Sequence, residues 1–144
     1  MLMSVATAVW SSHSWPTTDP FVLLVDDHRA SLDWLRNLLE GRGYRCVTAL
    51  SASQAMTCFE GRCPSLVVTD LNMPRLDGAC FARGLKSRYP KLPIVLLTSE
   101  SFNPEMEASL RESFVAIVRK PLDVEPFLKV ISELCPVGRR CEGA

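Results

Sequence analysis

The chain has 144 residues, 47% of them apolar and 22% charged, a globular composition with room for one domain and a sizeable core. Lys and Arg number 16, as do Asp and Glu, and 14 of each remain once residues 1–20 and 136–144 are set aside. That balance argues against a strongly basic nucleic-acid binder and a polybasic membrane-surface protein. No apolar run approaches the roughly 20 residues that span a bilayer.

Residues 1–20 are rich in Ser, Thr and Trp and read as a loosely ordered N-terminal extension without the basic region of a secretory signal. Regular patterning begins at Phe21–Val25, an apolar strand. A helix follows over 29–41, with Leu32, Leu35 and Leu39 on one face and Gly41 and Gly43 as its stop. Trp34 and Leu38 flank that stripe, as the edge of the core or as a docking patch. Next come a strand at Tyr44–Leu50 and a helix at 53–60 capped by Ser51 or Ser53. Leu66–Thr69 and Ile94–Thr98 are strands, separated by a helix over 78–88. A helix over 104–113, a strand at Val115–Val118 and a helix over 123–134 complete the domain. Its boundaries are set at 21–135, followed by a short tail, 136–144.

Three of the first four strands are nearly continuous apolar runs, which suits strands buried on both faces. Alternating strands and helices imply one parallel sheet with helices on both sides, since parallel neighbours need a crossover. The cysteines at 46, 58, 63, 80, 135 and 141 include no Cys-x-x-Cys pair and read as reduced thiols of a cytoplasmic protein.

In such a sheet the ligand site lies at the carboxyl ends of the strands. There the sequence places Asp26 and Asp27 after the first strand, Asp70 after the third, Thr98 on the fourth and Lys120 after the fifth. Asp-Asp after a strand can be a helix cap, and a Lys before a Pro a solvated turn residue. Five such coincidences on one edge point to a functional site instead. Three neighbouring carboxylates cannot all stay ionised without a cation. Hard oxygen ligands suit Mg²⁺ (or Mn²⁺), which bridges carboxylate and phosphate. A carboxylate beside such an ion can attack phosphorus and form an acyl phosphate. Asp70, on a central strand, is the best nucleophile, with Lys120 for the phosphoryl oxygens and Thr98 as hydroxyl donor.

Val25-Asp26-Asp27, the run Val68-Thr69-Asp70-Leu71-Asn72-Met73-Pro74-Arg75-Leu76-Asp77-Gly78, Leu97-Thr98-Ser99 and Lys120-Pro121, in that order, resemble the receiver domain of bacterial response regulators. The resemblance implies an α/β, flavodoxin-like (CheY-like), doubly wound sheet of order 2-1-3-4-5. It implies Mg²⁺ held by Asp27, Asp70 and the backbone carbonyl of Asn72, with Asp26 acting directly or through water. It implies phosphorylation of Asp70 by a sensor histidine kinase or phosphotransfer protein. Gly78 is expected at a site of unusual backbone angles, and Lys120–Pro121 is expected to be cis.

Some positions depart from the family. The aromatic residue that usually lies three before the lysine is replaced by Ile117, which either fills the space or marks a different coupling to the output surface. Ser99 replaces the usual small residue beside the pocket. Asn72 and Glu100 border it, as in single-domain chemotaxis regulators, and imply a phosphorylated state lasting minutes or less. Arg119 is a charge in an apolar strand, there for edge protection or for contact with a partner. His28 and His13 have no partnership visible in sequence and receive no role.

A phosphatase of the haloacid-dehalogenase type would need a second Asp where Asn72 stands. A degenerate binding module would not keep all of Asp26, Asp27, Asp70, Thr98 and Lys120. The expectation is therefore a cytoplasmic phosphoacceptor switch, itself not an enzyme. A separate downstream protein would read it, without nucleic-acid binding or membrane insertion.

Overall fold

The computed structural model describes residues 20–60, 62–71 and 77–135. Their elements run β1 (Val22–Val25), α1 (Arg29–Glu40), β2 (Cys46–Ala49), α2 (Ala52–Thr57), β3 (Leu66–Asp70), α3 (Gly78–Arg88), β4 (Ile94–Thr98), α4 (Pro104–Leu110), β5 (Ala116–Arg119) and α5 (Val124–Leu134). The five strands form one all-parallel sheet of order β2-β1-β3-β4-β5, the doubly wound flavodoxin-like architecture implied by the sequence. No helix of the described residues is long and apolar enough to cross a membrane.

Strand alternation divides the core in two. Val22, Leu24, Leu66, Val68, Val95 and Leu97 face α1 and α5, meeting Leu32, Leu35, Leu39, Phe127 and Ile131. Leu23, Val25, Val67, Ile94 and Leu96 face the opposite way, meeting Ala52 and Ala55 of α2, Phe81 and Leu85 of α3 and Leu110 of α4. The three inner strands are buried on both faces except at Asp70, which is why their sequences are almost unbroken apolar runs. Leu38 packs against the α1–α5 core, whereas Trp34 is 49% exposed.

Several element ends differ from the sequence reading by a few residues. The second strand begins at Cys46; Tyr44 is buried, but its N–H donates to Leu39 O at the end of α1. Gly43 makes the turn there with φ 96°, while Gly41 keeps a helical φ of −64°. Ser51, and not Ser53, caps α2 by accepting from Gln54 N–H. That helix stops at Thr57, and α4 stops at Leu110, where a turn carries the buried Phe114 inward.

Cys46 and Cys135 lie in the α1–α5 core and Cys58 in the other, as free thiols. Burial pushes the Cys46 thiol from the ordinary 9.0 up to about 12, with the Glu40 charge adding to the rise and Arg36 opposing it. Burial likewise pushes Cys58 up to about 11, against the Arg62 charge. The thiolate is the nucleophile, so at pH 8 the Cys46 reactive fraction falls about a thousandfold below that of an unperturbed thiol. Native-state alkylation at pH 8, followed by peptide mass mapping, is expected to spare Cys46 and Cys58, both of which react once the chain is denatured. Rapid labelling of Cys46 in the folded protein would contradict this packing.

Candidate functional site

The first acid pair is set by the turn that ends β1. Asp26 N–H continues the ladder to Ala49 O at 3.1 Å, and Asp26 Oδ1 accepts from His28 N–H at 3.0 Å. This local bond closes the turn into α1, whose first intrahelical bond runs from Leu32 N–H to His28 O. Asp26 thus serves the turn with one oxygen and presents the other, Oδ2, 3.7 Å from Lys120 Nζ. Asp27 is more open, with its side chain 31% exposed. The His28 ring offers no cap bond to the helix; its Nδ1 lies 3.0 Å from Asp27 Oδ1 and 3.4 Å from Asp26 Oδ1.

Asp70 ends β3 opposite Leu97 of β4, and its Oδ1 lies 3.6 Å from Lys120 Nζ. The lysine is aimed by its backbone: its N–H donates to Thr98 O at 2.8 Å, and the Lys120–Pro121 bond is cis. One ammonium therefore stands between two carboxylates. Burial raises the Asp70 carboxyl above its ordinary value, with Lys120 opposing the rise and the Asp26 charge adding to it.

Thr98 ends β4 and is buried; its Oγ1 accepts from Glu100 N–H at 3.0 Å. By alternation Thr98 continues the face of Ile94 and Leu96, toward α2–α4. Ser99 and Glu100 are exposed on the loop beyond it. Ile117, at the family's aromatic position, packs against the same core as Leu96. Asn72, with its backbone carbonyl, lies outside the described residues, as do Met73–Leu76 and His13. The strand ends thus bring Asp26, Asp70 and Lys120 together on one side, with Asp27 tied in through His28.

Residues 22–132 match the family described as response regulator receiver domain. The chain belongs to this family. It is 32% identical over 117 residues to the 14.6 kDa protein in the sodA1 3' region of Leptolyngbya boryana, covering 79% of this chain and 88% of that one. It is 25% identical over 111 residues to the DNA-binding transcriptional regulator NtrC of Salmonella typhimurium, covering 76% of this chain but only 24% of the relative. Among solved structures, the chemotaxis response regulator CheY4 of Vibrio cholerae matches with a TM-score of 0.72 at 27% identity, over 81% of this chain and 99% of that one.

Receivers of two-component systems typically hold Mg²⁺ in an acidic pocket. The donors of this receiver fit such an ion. Two partly or fully buried carboxylates share one ammonium, and Asp27 adds a third negative group beside Asp26. The oxygen and nitrogen donors of Asp26, Asp27 and His28 all lie within 4.8 Å of one another. Hard carboxylate oxygens with excess negative charge are what a small divalent cation requires.

The receiver also contains two residues whose surroundings the sequence did not reveal. His28 touches both acids of the pair; its place directly after them, at the mouth of a helix, was the available signal. Arg119 reaches the loop after β4, a placement that follows from its register opposite Thr98.

Gly78 is the first residue of α3 and has helical backbone angles, which corrects the expectation of an unusual conformation there. Its role is close approach. Its N–H donates to Leu71 O at 2.6 Å, and an added Cβ would lie 2.3 Å from the Asp70 carbonyl oxygen and 3.0 Å from Leu71 Cα. Both obstacles are backbone, so the helix or the end of β3 has to move. Gly78→Ala is expected to cost about 1–3 kcal/mol in urea unfolding. It is also expected to shift the amide resonances of Asp70 and Leu71. A variant as stable as the wild type would show that the contact relaxes freely.

Proposed function

We propose that residues 21–135 form a phosphoacceptor receiver in which Asp70 takes a phosphoryl group from a sensor histidine kinase or a histidine phosphotransfer protein. The observation that carries this reading is the convergence of Asp70 and Asp26 on Lys120, at 3.6 and 3.7 Å, on the carboxyl edge of the sheet. An Asp70 carboxylate oxygen attacks phosphorus, the donor's P–N bond breaks, and its electron pair returns to the donor imidazole. Lys120 remains beside the transferred oxygens, and the Thr98 hydroxyl supplies a donor to them. Asp27 and Asp70, the backbone carbonyl of Asn72, and Asp26 directly or through water are the residues that would hold Mg²⁺ (or Mn²⁺). When bound, the ion neutralises the charge that collects on the phosphoryl oxygens. The protein catalyses only its own phosphorylation and dephosphorylation.

A groove of about 340 Å³ opens beside this site, with Asp26, Trp34 and Leu35 on one side and Lys120, Pro121 and Leu122 on the other. It offers the phosphoryl donor an exposed indole and an apolar floor next to Asp26 and Lys120. The phosphorylated form is read by a separate protein in the cytoplasm, without nucleic acid or membrane contact by this domain. Asn72, Ser99 and Glu100 are the residues that tune the access of water.

Incubation with Mg²⁺ and acetyl phosphate, followed by intact mass, is expected to show one added phosphoryl group. The gain disappears in Asp70→Asn, and chelation of the metal prevents it. After removal of the phosphoryl donor the adduct decays within minutes. A lifetime of many hours would remove Asn72, Ser99 and Glu100 from that role. A wild-type protein that gains no phosphoryl group and binds no Mg²⁺ would be a binding module instead.

A further inference from the structure

Arg119 is the last residue of β5, opposite Thr98 in register and directly before Lys120. Alternation carries it to the face of Ile117, away from Asp70. Its guanidinium makes contacts along one segment, the loop after β4 and the first turn of α4. Nη1 donates to the carbonyl oxygen of Glu100. Its Cζ lies 5.4 Å from the centroid of the Phe102 ring, and Nη2 is 3.9 Å from Glu107 Oε1. A charge serving only to protect a strand edge would need none of these partners. A planar guanidinium can donate at its rim while its face lies over a ring, which a lysine cannot reproduce.

Glu100 is therefore held at both of its backbone groups: its N–H by Thr98 Oγ1 at 3.0 Å and its C=O by Arg119. A hydroxyl has one proton and two acceptor sites, so accepting from Glu100 leaves the Thr98 proton available to a second partner. Ile117 has no ring or polar group with which to follow Thr98. Phe102, partly buried against the same core as Ile117, does supply a ring on that face, and Arg119 lies over it.

We propose that Arg119 is a positioning residue, which fixes the Glu100 peptide over Thr98 and carries a displacement of Thr98 to α4 through Phe102 and Glu107. This rests on the phosphoacceptor reading. When Thr98 Oγ1 is drawn toward a phosphoryl group, Glu100 N–H follows its acceptor. The Glu100 carbonyl then moves against the guanidinium, and the two arrangements of the loop exchange population.

The test compares amide NMR spectra of the full chain with and without Mg²⁺ and beryllofluoride, a phosphoryl mimic. In the wild type, resonances shift at Leu71 and Thr98 and also at Met106 and Glu107. In Arg119→Ala the shifts at Leu71 persist, and those at Met106 and Glu107 fall by about threefold or more. Arg119→Lys, which can still reach the carbonyl, does not restore them. Phe102→Leu gives the same loss and serves should Arg119→Ala fail to fold. Unchanged shifts at Met106 and Glu107 in these variants would overturn the proposal. A wild-type spectrum that does not respond at Leu71 or Thr98 would instead overturn the phosphoacceptor reading, and the coupling with it.

Discussion

Two carboxylates, Asp26 and Asp70, sit at the carboxyl edge of the sheet around one ammonium, that of Lys120, at 3.7 and 3.6 Å. Asp70 is partly withdrawn from water, which penalises its ionised form, and the like charge of Asp26 adds to that penalty. Lys120 offsets part of that penalty but not the whole, and its one positive charge faces two negative ones. The rest of the structure serves to hold this imbalance in place. A parallel sheet brings the ends of β1, β3 and β5 to a common edge, and apolar layers on both faces keep those ends from separating. The start of α3 is packed directly beneath Asp70 through Gly78, so the acid cannot retreat from its neighbours by a backbone shift.

Strand alternation then separates two tasks. Asp26, Asp70 and Lys120 continue the alternation that turns Leu24, Val68 and Val118 toward α1 and α5. Thr98, Ile117 and Arg119 continue the one that turns Leu96 toward α2, α3 and α4. Arg119 and Lys120 are joined by a single peptide bond, yet one reaches the loop after β4 and the other reaches the acids. Groups that neutralise charge at Asp70 are thereby kept apart from groups that grip the loop. Thr98 belongs to the second set by its face and, through Lys120 N–H on its carbonyl, is tied to the first.

The sheet was legible because its signals are local. Val22–Val25, Leu66–Val68 and Ile94–Leu97 are apolar on both faces, and between helices such short unbroken runs mark the inner strands of a parallel sheet. Element ends were harder to read wherever tertiary packing used a residue outside its element. Tyr44 is buried from a loop, so its apolar character lengthened the expected strand. The acids and the lysine were legible because topology alone sends strand ends to one edge. His28 and Arg119 were not, because their contacts depend on rotamers and on a loop path that no spacing rule encodes. Gly78 was marked as special for the wrong reason: a helical glycine in close contact and a glycine with positive φ look identical in sequence.

The two adjacent acids also differ in a way that their chemistry does not disclose. Asp26 is 7% exposed, and its Oδ1 is committed to the His28 N–H that closes the turn. Its direction is therefore fixed by local backbone, and only Oδ2 is turned toward Lys120. Asp27 lies one residue further, is more exposed, and has the His28 ring as a neighbour. An exposed imidazole is readily displaced, whereas a backbone bond within a turn is not. A cation arriving from solvent thus meets one acid that can reorient toward it and one that is already pinned. In the proposed phosphoacceptor site that difference would make Asp27 the direct ligand and Asp26 the acid that keeps Lys120 and the turn in register, its contact to the ion completed through water.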